Sequence, residues 1–120
     1  MGNDKVSAIY CPASGPAVIR QIGQGLDDLQ ELVGGYIEML TAVPGVTLIV
    51  NENGRVDGLP ENQCIHAGPI LGDAVFVGSP RRGYKFRSLR TDDLLQLIEA
   101  GYLRLSEISH VMVGGTEVEL

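Results

Sequence analysis

Lys5-Val6-Ser7-Ala8-Ile9-Tyr10 is a short β-prone run closed by Cys11-Pro12, and Ala17-Val18-Ile19 is a second extended stretch. The period then lengthens. Leu26, Leu29, Leu32 and Val33 recur at helical spacing, with Asp27 and Asp28 near the positive end of the helix dipole and Gly34-Gly35 as the stop.

From Tyr36 the pattern returns to strands: Tyr36-Ile37-Glu38-Met39-Leu40 and Val46-Thr47-Leu48-Ile49-Val50-Asn51 flank Pro44-Gly45, a turn dipeptide. If Val43 and Val46 close that turn, Glu38 lies opposite Asn51 and Met39 opposite Val50. Alternation then sorts Ile37, Met39, Leu48 and Val50 onto an apolar face. Tyr36, Glu38, Leu40, Ile49 and Asn51 fall on a mixed face suited to reading a ligand.

Arg55-Val56-Asp57-Gly58-Leu59 reads as a short strand or loop, and Pro60-Glu61-Asn62-Gln63 as the opening of a helical turn broken by Gly68-Pro69. A second hairpin is expected from Asp73–Gly78 and Tyr84–Ser88, with Ser79–Gly83 as its loop and Arg81 and Arg82 at the tip. There Lys85 and Arg87 share one face, away from Tyr84 and Phe86. Thr91 is placed to cap a helix with Asp92-Asp93 in its first turn, apolar Leu94, Leu95, Leu97 and Ile98, and Gly101 as the stop. Beyond it, His110–Val113 and Thr116–Leu120 around Gly114-Gly115 fit a hairpin in which His110 faces Glu119.

These elements predict an α+β fold: one small domain, an antiparallel or mixed sheet of about five or six strands, and two main helices on one face. Residues 1–101 form its core. Residues 102–120 are an extension that packs on the core or pairs with another copy through a free edge strand.

Length and composition narrow the class. At 120 residues and 44% hydrophobic the chain suits one core. No apolar run of about eighteen residues and no leader pattern stands out, so the expected location is cytoplasmic, with no membrane partner. Cys11 and Cys64 are too few for a disulfide framework and read as small buried hydrophobes. A net charge of -6 and a pI near 4.7 argue against broad DNA binding, which needs many phosphate contacts.

The charge is segregated. Five of the nine basic residues, Arg81, Arg82, Lys85, Arg87 and Arg90, fall within ten positions, leaving four cations against fifteen carboxylates elsewhere. Guanidinium forks match phosphate oxygens, and Gly78 and Gly83 let backbone amides approach, so this segment is a candidate site for a compact anion. The plainer alternative is a solvated hairpin whose cations pair with Asp92, Asp93 or the first helix. Tyr36, Glu38 and Asn51 could read a ribose or base, or simply decorate the sheet as cross-strand neighbours. Glu52 and Asn62 are further ligand candidates that turn chemistry also explains.

No catalytic signature is present. Nothing sets Glu38 and Glu52 around a reacting bond as a hydrolase needs. Cys64-x-His66 with Cys11 and His110 matches no zinc-ligand spacing, and the Gly34-Gly35 and Gly114-Gly115 pairs are not placed as in a nucleotide loop. No metal or cofactor is expected.

Leu29-Gln30-Glu31-Leu32-Val33-Gly34-Gly35-Tyr36-Ile37-Glu38, Leu48-Ile49-Val50-Asn51-Glu52-Asn53-Gly54, Gly58-Leu59-Pro60 with Asn62, Ile70-Leu71-Gly72-Asp73-Ala74 and Phe86-Arg87-Ser88-Leu89 together resemble an uncharacterised domain family of unknown function. Its members are typically small proteins of bacteriophages, plasmids and mobile elements. The resemblance covers about residues 5 to 100 and implies a bacterial mobile-element setting, where small proteins commonly inhibit host defence.

The reading that follows is a non-catalytic binding protein that sequesters a small anionic ligand, such as a signalling nucleotide, to counter host defence, with a second copy of the chain as a candidate partner in a homo-oligomer. Two alternatives come from other classes. One is an acidic, DNA-mimic-like inhibitor of a host defence protein, acting through Asp27, Asp28 and Glu31. The other is a small nucleotide-acting enzyme that depends on Glu38.

Overall fold

A computed structural model describes residues 5–109 in full and the backbone of 112–113 and 116–117. The first apolar run forms β1 (Lys5–Cys11), and the second extends further than its apolar residues, as β2 (Ala17–Gly23). Helix α1 (Leu26–Val33) ends where Gly34 turns left-handed at φ 76°, a conformation that glycine adopts without steric cost. The next hairpin is β3 (Ile37–Val43) and β4 (Val46–Asn51), followed after a long connection by β5 (Ala74–Gly78).

Helix α2 (Thr91–Glu99) starts one residue earlier than a Thr91 cap requires. Arg90 is the capping position, and its amide donates to Asp93 Oδ2 at 2.8 Å. A single 3-10 turn (Leu105–Glu107) leads into β6 (Ile108–Ser109), and β7 (Met112–Val113) pairs antiparallel with β8 (Thr116–Glu117). The His110–Glu119 pairing expected there lies outside the described residues.

The expected α+β domain with a mixed sheet is what forms: six strands in the order β3-β4-β5-β1-β2-β6, antiparallel except for the β2–β6 pair. The helices do not share a face. Alternate residues of the central strands feed two separate cores. Leu48, Val50, Ala74, Phe76 and Ile9 pack with Leu97 of α2, whereas Ile49, Val75, Val77, Val6 and Ala8 pack with Leu29 and Val33 of α1. Near-continuous apolar strands, fully buried along β4 and β5, are the sequence mark of a sheet covered on both sides. Each fully buried Phe, Leu or Ile contributes roughly 1.5–3 kcal/mol. Leu103 is buried in the α2-side core and Tyr102 meets Phe76 edge-on, centroids 6.0 Å apart, so the chain beyond α2 joins the packing of the sheet.

The β3–β4 register departs from the expected one. Val43 and Val46 do close the turn, but a bulge between Thr41 and Val43 shifts all pairing beyond it by one residue: Ile37 faces Asn51, Glu38 faces Val50 and Met39 faces Ile49. A one-residue slip exchanges the faces of a strand. Ile37, Met39 and Thr41 therefore look toward α1, and Glu38 and Leu40 lie on the other side.

Two further elements differ. Residues 60–63 form no helical turn; Glu61 instead bridges Leu71. Tyr84–Ser88 is not a strand; its backbone pairs with β5 through the single bridge at Gly78, which exchanges hydrogen bonds with Arg87 at 2.9 and 3.1 Å. A Cβ on Gly78 would lie 2.6 Å from the Arg87 carbonyl oxygen, so only glycine permits that crossing.

Candidate functional site

The strand shift and the missing strand at 84–88 together open a groove on the α1 side of β3. Met39 and Thr41 form one wall, Leu26 and Leu29 of α1 a second, and Tyr84 and Phe86 a third, enclosing about 370 Å³. Phe86 anchors the third wall by packing on the α1-side core. Its neighbours stay open to solvent: Tyr84 is 90% exposed, and Met39 and Leu26 are each 57% exposed. Three large apolar side chains left uncovered around one concavity distinguish it from scattered surface residues.

Arg81 and Arg82 stand in the loop between the lining residues Pro80 and Gly83, without themselves lining the groove. Both are exposed, and neither side chain has a hydrogen-bond or ion-pair partner among the described residues. Lys85 and Arg90 are exposed as well.

Arg87 serves the fold. Its Nη1 donates to Asp93 Oδ2 at 2.9 Å and its Nη2 to the Gly45 carbonyl at 2.7 Å, and since 84–88 is not a strand it shares no strand face with Lys85. Burial acts to raise the Asp93 pKa, but hydrogen bonds from Arg87 and the Arg90 amide, with the charge of Arg87, outweigh it and hold the carboxyl below its usual range.

The second set of candidates lies apart from this groove. Asn51 is buried toward α1, donating from Nδ2 to the Val33 carbonyl at 3.0 Å and accepting the Asn53 amide at 2.7 Å. Tyr36 is exposed ahead of β3, where its carbonyl accepts the Glu52 amide. Glu38 and Glu52 are exposed and line, with Asn51 and Arg55, a separate cavity of about 260 Å³. Asn62 is buried and fully used: Nδ2 donates to the Cys11 and Gly72 carbonyls at 2.8 and 2.9 Å, and Oδ1 accepts the Cys64 amide at 2.9 Å. The structure thus puts Arg81 and Arg82 in a loop whose neighbours Pro80, Gly83 and Tyr84 line an apolar groove, and Tyr36, Glu38 and Asn51 do not line that groove.

The groove lining of Leu26, Met39, Tyr84 and Phe86 is the part that pattern reading missed. The signal available was an excess of large apolar residues in the segments flanking the basic stretch, which an assumed hairpin absorbed.

Cys11 and Cys64 are both buried free thiols. Burial pushes both up, Cys11 well above the ordinary thiol value, with the Cys64 and Glu107 charges adding in the same direction for Cys11 and Cys64 respectively. His66 Nε2 meets Glu107 Oε1 at 2.6 Å, tying the 63–68 loop to the turn before β6. No group of three or more His, Cys, Asp or Glu among the described residues is placed to hold a metal ion. No helix among them is long and apolar enough to cross a membrane.

Compared with known proteins, residues 6–102 match the family described as Domain of unknown function (DUF3846), and the chain belongs to that family. No curated protein and no solved structure matches it.

Proposed function

We propose that this family member is a non-catalytic binding protein whose groove takes up a small anionic ligand with a flat or apolar body, a signalling nucleotide being the type. The observation that supports this reading is the pair of unpartnered guanidiniums, Arg81 and Arg82, in the loop that borders an apolar groove carrying Tyr84 and Phe86. A base can stack on an aromatic face while phosphate oxygens take the guanidinium forks. Gln24, Thr41 and Thr47 supply the few polar groups that orient a ligand in such a site.

Capture needs affinity but no transition-state machinery, in keeping with a groove whose lining holds no carboxylate or imidazole. In the mobile-element setting that the resemblance implies, sequestering a signalling nucleotide counters a host defence pathway. Cytoplasmic placement follows from that role.

Native mass spectrometry of protein purified from bacterial cells with active defence systems, before and after denaturation, tests the reading. A released small molecule gives the ligand mass. Arg81→Ala with Arg82→Ala should weaken its binding by at least about tenfold, while Glu38→Gln leaves it intact. Unchanged capture in the double variant sinks the reading, and turnover lost on Glu38→Gln would favour the nucleotide-acting enzyme.

A second reading has its own observation: Asp27, Asp28 and Glu31 are all exposed on α1. An acidic inhibitor of a basic host protein would lose affinity on neutralising these three and would bind in a salt-sensitive way.

A further inference from the structure

We propose that β3 is an acceptor edge for an extended peptide strand that carries alternating apolar side chains and carboxylates. This goes beyond small-ligand capture because it rests on the free backbone groups of β3, the strand that walls the groove. β3 is the terminal strand of the six. The direction of its free groups follows from its pairing with β4. The Glu52 amide donates to the Tyr36 carbonyl at 2.8 Å, which makes that opposed pair hydrogen-bonded. Antiparallel pairs alternate, so Glu38 and Leu40 turn their N–H and C=O groups to β4, and Ile37, Met39 and Thr41 turn theirs outward.

Edge strands are normally guarded against strand addition by lysine, proline, a bulge or shortness. β3 is seven residues long, and Ile37 to Thr41 contain one charge, Glu38, and neither lysine nor proline. Its bulge lies near the turn and leaves Ile37 to Thr41 in continuous register. Residues 38–41 are exposed, Met39 at 57% and Leu40 at 37%.

Charge selects the occupant. An added strand sets every second side chain beside Ile37, Met39 and Thr41 on the groove side, where Leu26 and Tyr84 offer apolar contact and Arg81 and Arg82 await carboxylates. A second copy fits less well. Two-fold pairing about Met39 sets the two Glu38 carboxylates on one face beside the axis, in a chain already carrying a charge of -6.

An octapeptide display library selected on the full chain, with counter-selection on Met39→Pro, tests the proposal. Proline at position 39 removes an outward amide and leaves the bonds to β4 intact. Enriched peptides should alternate apolar positions with Asp or Glu, and a synthetic winner should bind Met39→Pro at least about tenfold more weakly. Reversing the loop's charge with Arg81→Glu and Arg82→Glu should switch the selected acids to bases. If Met39→Pro does not fold, N-methylation of the winning peptide on wild-type protein decides the matter: methyls at alternate amides abolish binding and those between them are tolerated. Binding unaffected by Met39→Pro, an N-methyl series without alternation, or a wild-type dimer that Met39→Pro dissociates would each overturn the proposal. Because the N-methyl series alters the peptide and not the groove, its outcome on wild-type protein stands apart from the fate of the small-ligand reading, which ligand capture by that same protein decides.

Discussion

Arg87 and Asp93 form a 2.9 Å ion pair that ties the segment leaving the groove to the first turn of α2, and the same guanidinium also reaches the Gly45 carbonyl of the β3–β4 turn. One side chain therefore fixes where the Arg81–Tyr84 loop returns to the body. Asp93→Asn removes the charge while keeping the shape, and is expected to cost about 2 kcal/mol at neutral pH, between a single charged hydrogen bond and a broken buried pair. The sign of the pH dependence follows from the lowered pKa of Asp93. Its contribution is present above the unfolded carboxyl pKa and fades as pH falls through the lower folded value. Urea unfolding of both proteins should show a gap at pH 7 that closes in acid; a gap independent of pH would remove the ion pair as its cause.

Asn62 ties its own segment to the end of β1, to the chain before β5 and to the following loop, through Cys11, Gly72 and Cys64. Asn62→Ala leaves two buried carbonyls and one amide without these partners, and a loss of roughly 2–4 kcal/mol is expected. Asn62→Asp should be comparably harmful, because a carboxylate offers no donor to the carbonyls. A thermal melt within two degrees of wild type for either variant would show that the 60–72 connection is held by other means.

Much of the secondary structure was legible because local signals agreed there: the Leu26–Val33 periodicity, the left-handed Gly34, and the unbroken apolar β4 and β5. The sites were harder to read, for physical reasons that can be named. A bulge at the β3–β4 turn carries no clear sequence mark in Thr41-Ala42-Val43, yet it reverses which β3 residues meet the groove. Tyr84–Ser88 alternates like a strand but is pulled across the end of the sheet by Arg87, whose partner lies six residues ahead. The apolar continuity of β4 and β5 already implied cover on both faces, so placing α1 and α2 on opposite sides was within reach of the sequence. The Arg81–Arg82 exposure was legible from charge alone; the slip that sets Asn51 opposite Ile37 instead of Glu38 was not.

Both thiols should be slow to react in the folded protein. Cys11 is fully buried and Cys64 is 3% exposed, and burial disfavours the thiolate of each. Iodoacetamide at pH 8 should label neither in native buffer and both in denaturant, read by intact mass. Rapid native labelling of Cys64 would instead reveal opening of the 63–68 loop, which the 2.6 Å contact between His66 and Glu107 holds closed. Glu107→Ala is then the variant in which that labelling should accelerate.

The open edge of β3 makes a prediction at single-residue level. Amides that bond to β4 exchange with solvent only when the hairpin opens, whereas amides pointing outward from a terminal strand meet water in the native state. Glu38 and Leu40 belong to the first group and Met39 and Thr41 to the second, by the register that Tyr36 and Glu52 set. Hydrogen exchange followed by NMR should therefore alternate along the strand, with Met39 and Thr41 faster than Glu38 and Leu40 by at least about a hundredfold, the equivalent of roughly 2.7 kcal/mol of opening. Uniform protection would mean that something covers the edge, and uniform exchange that the hairpin frays. Protection appearing at Met39 and Thr41 alone, on adding a peptide, would locate strand addition at this edge.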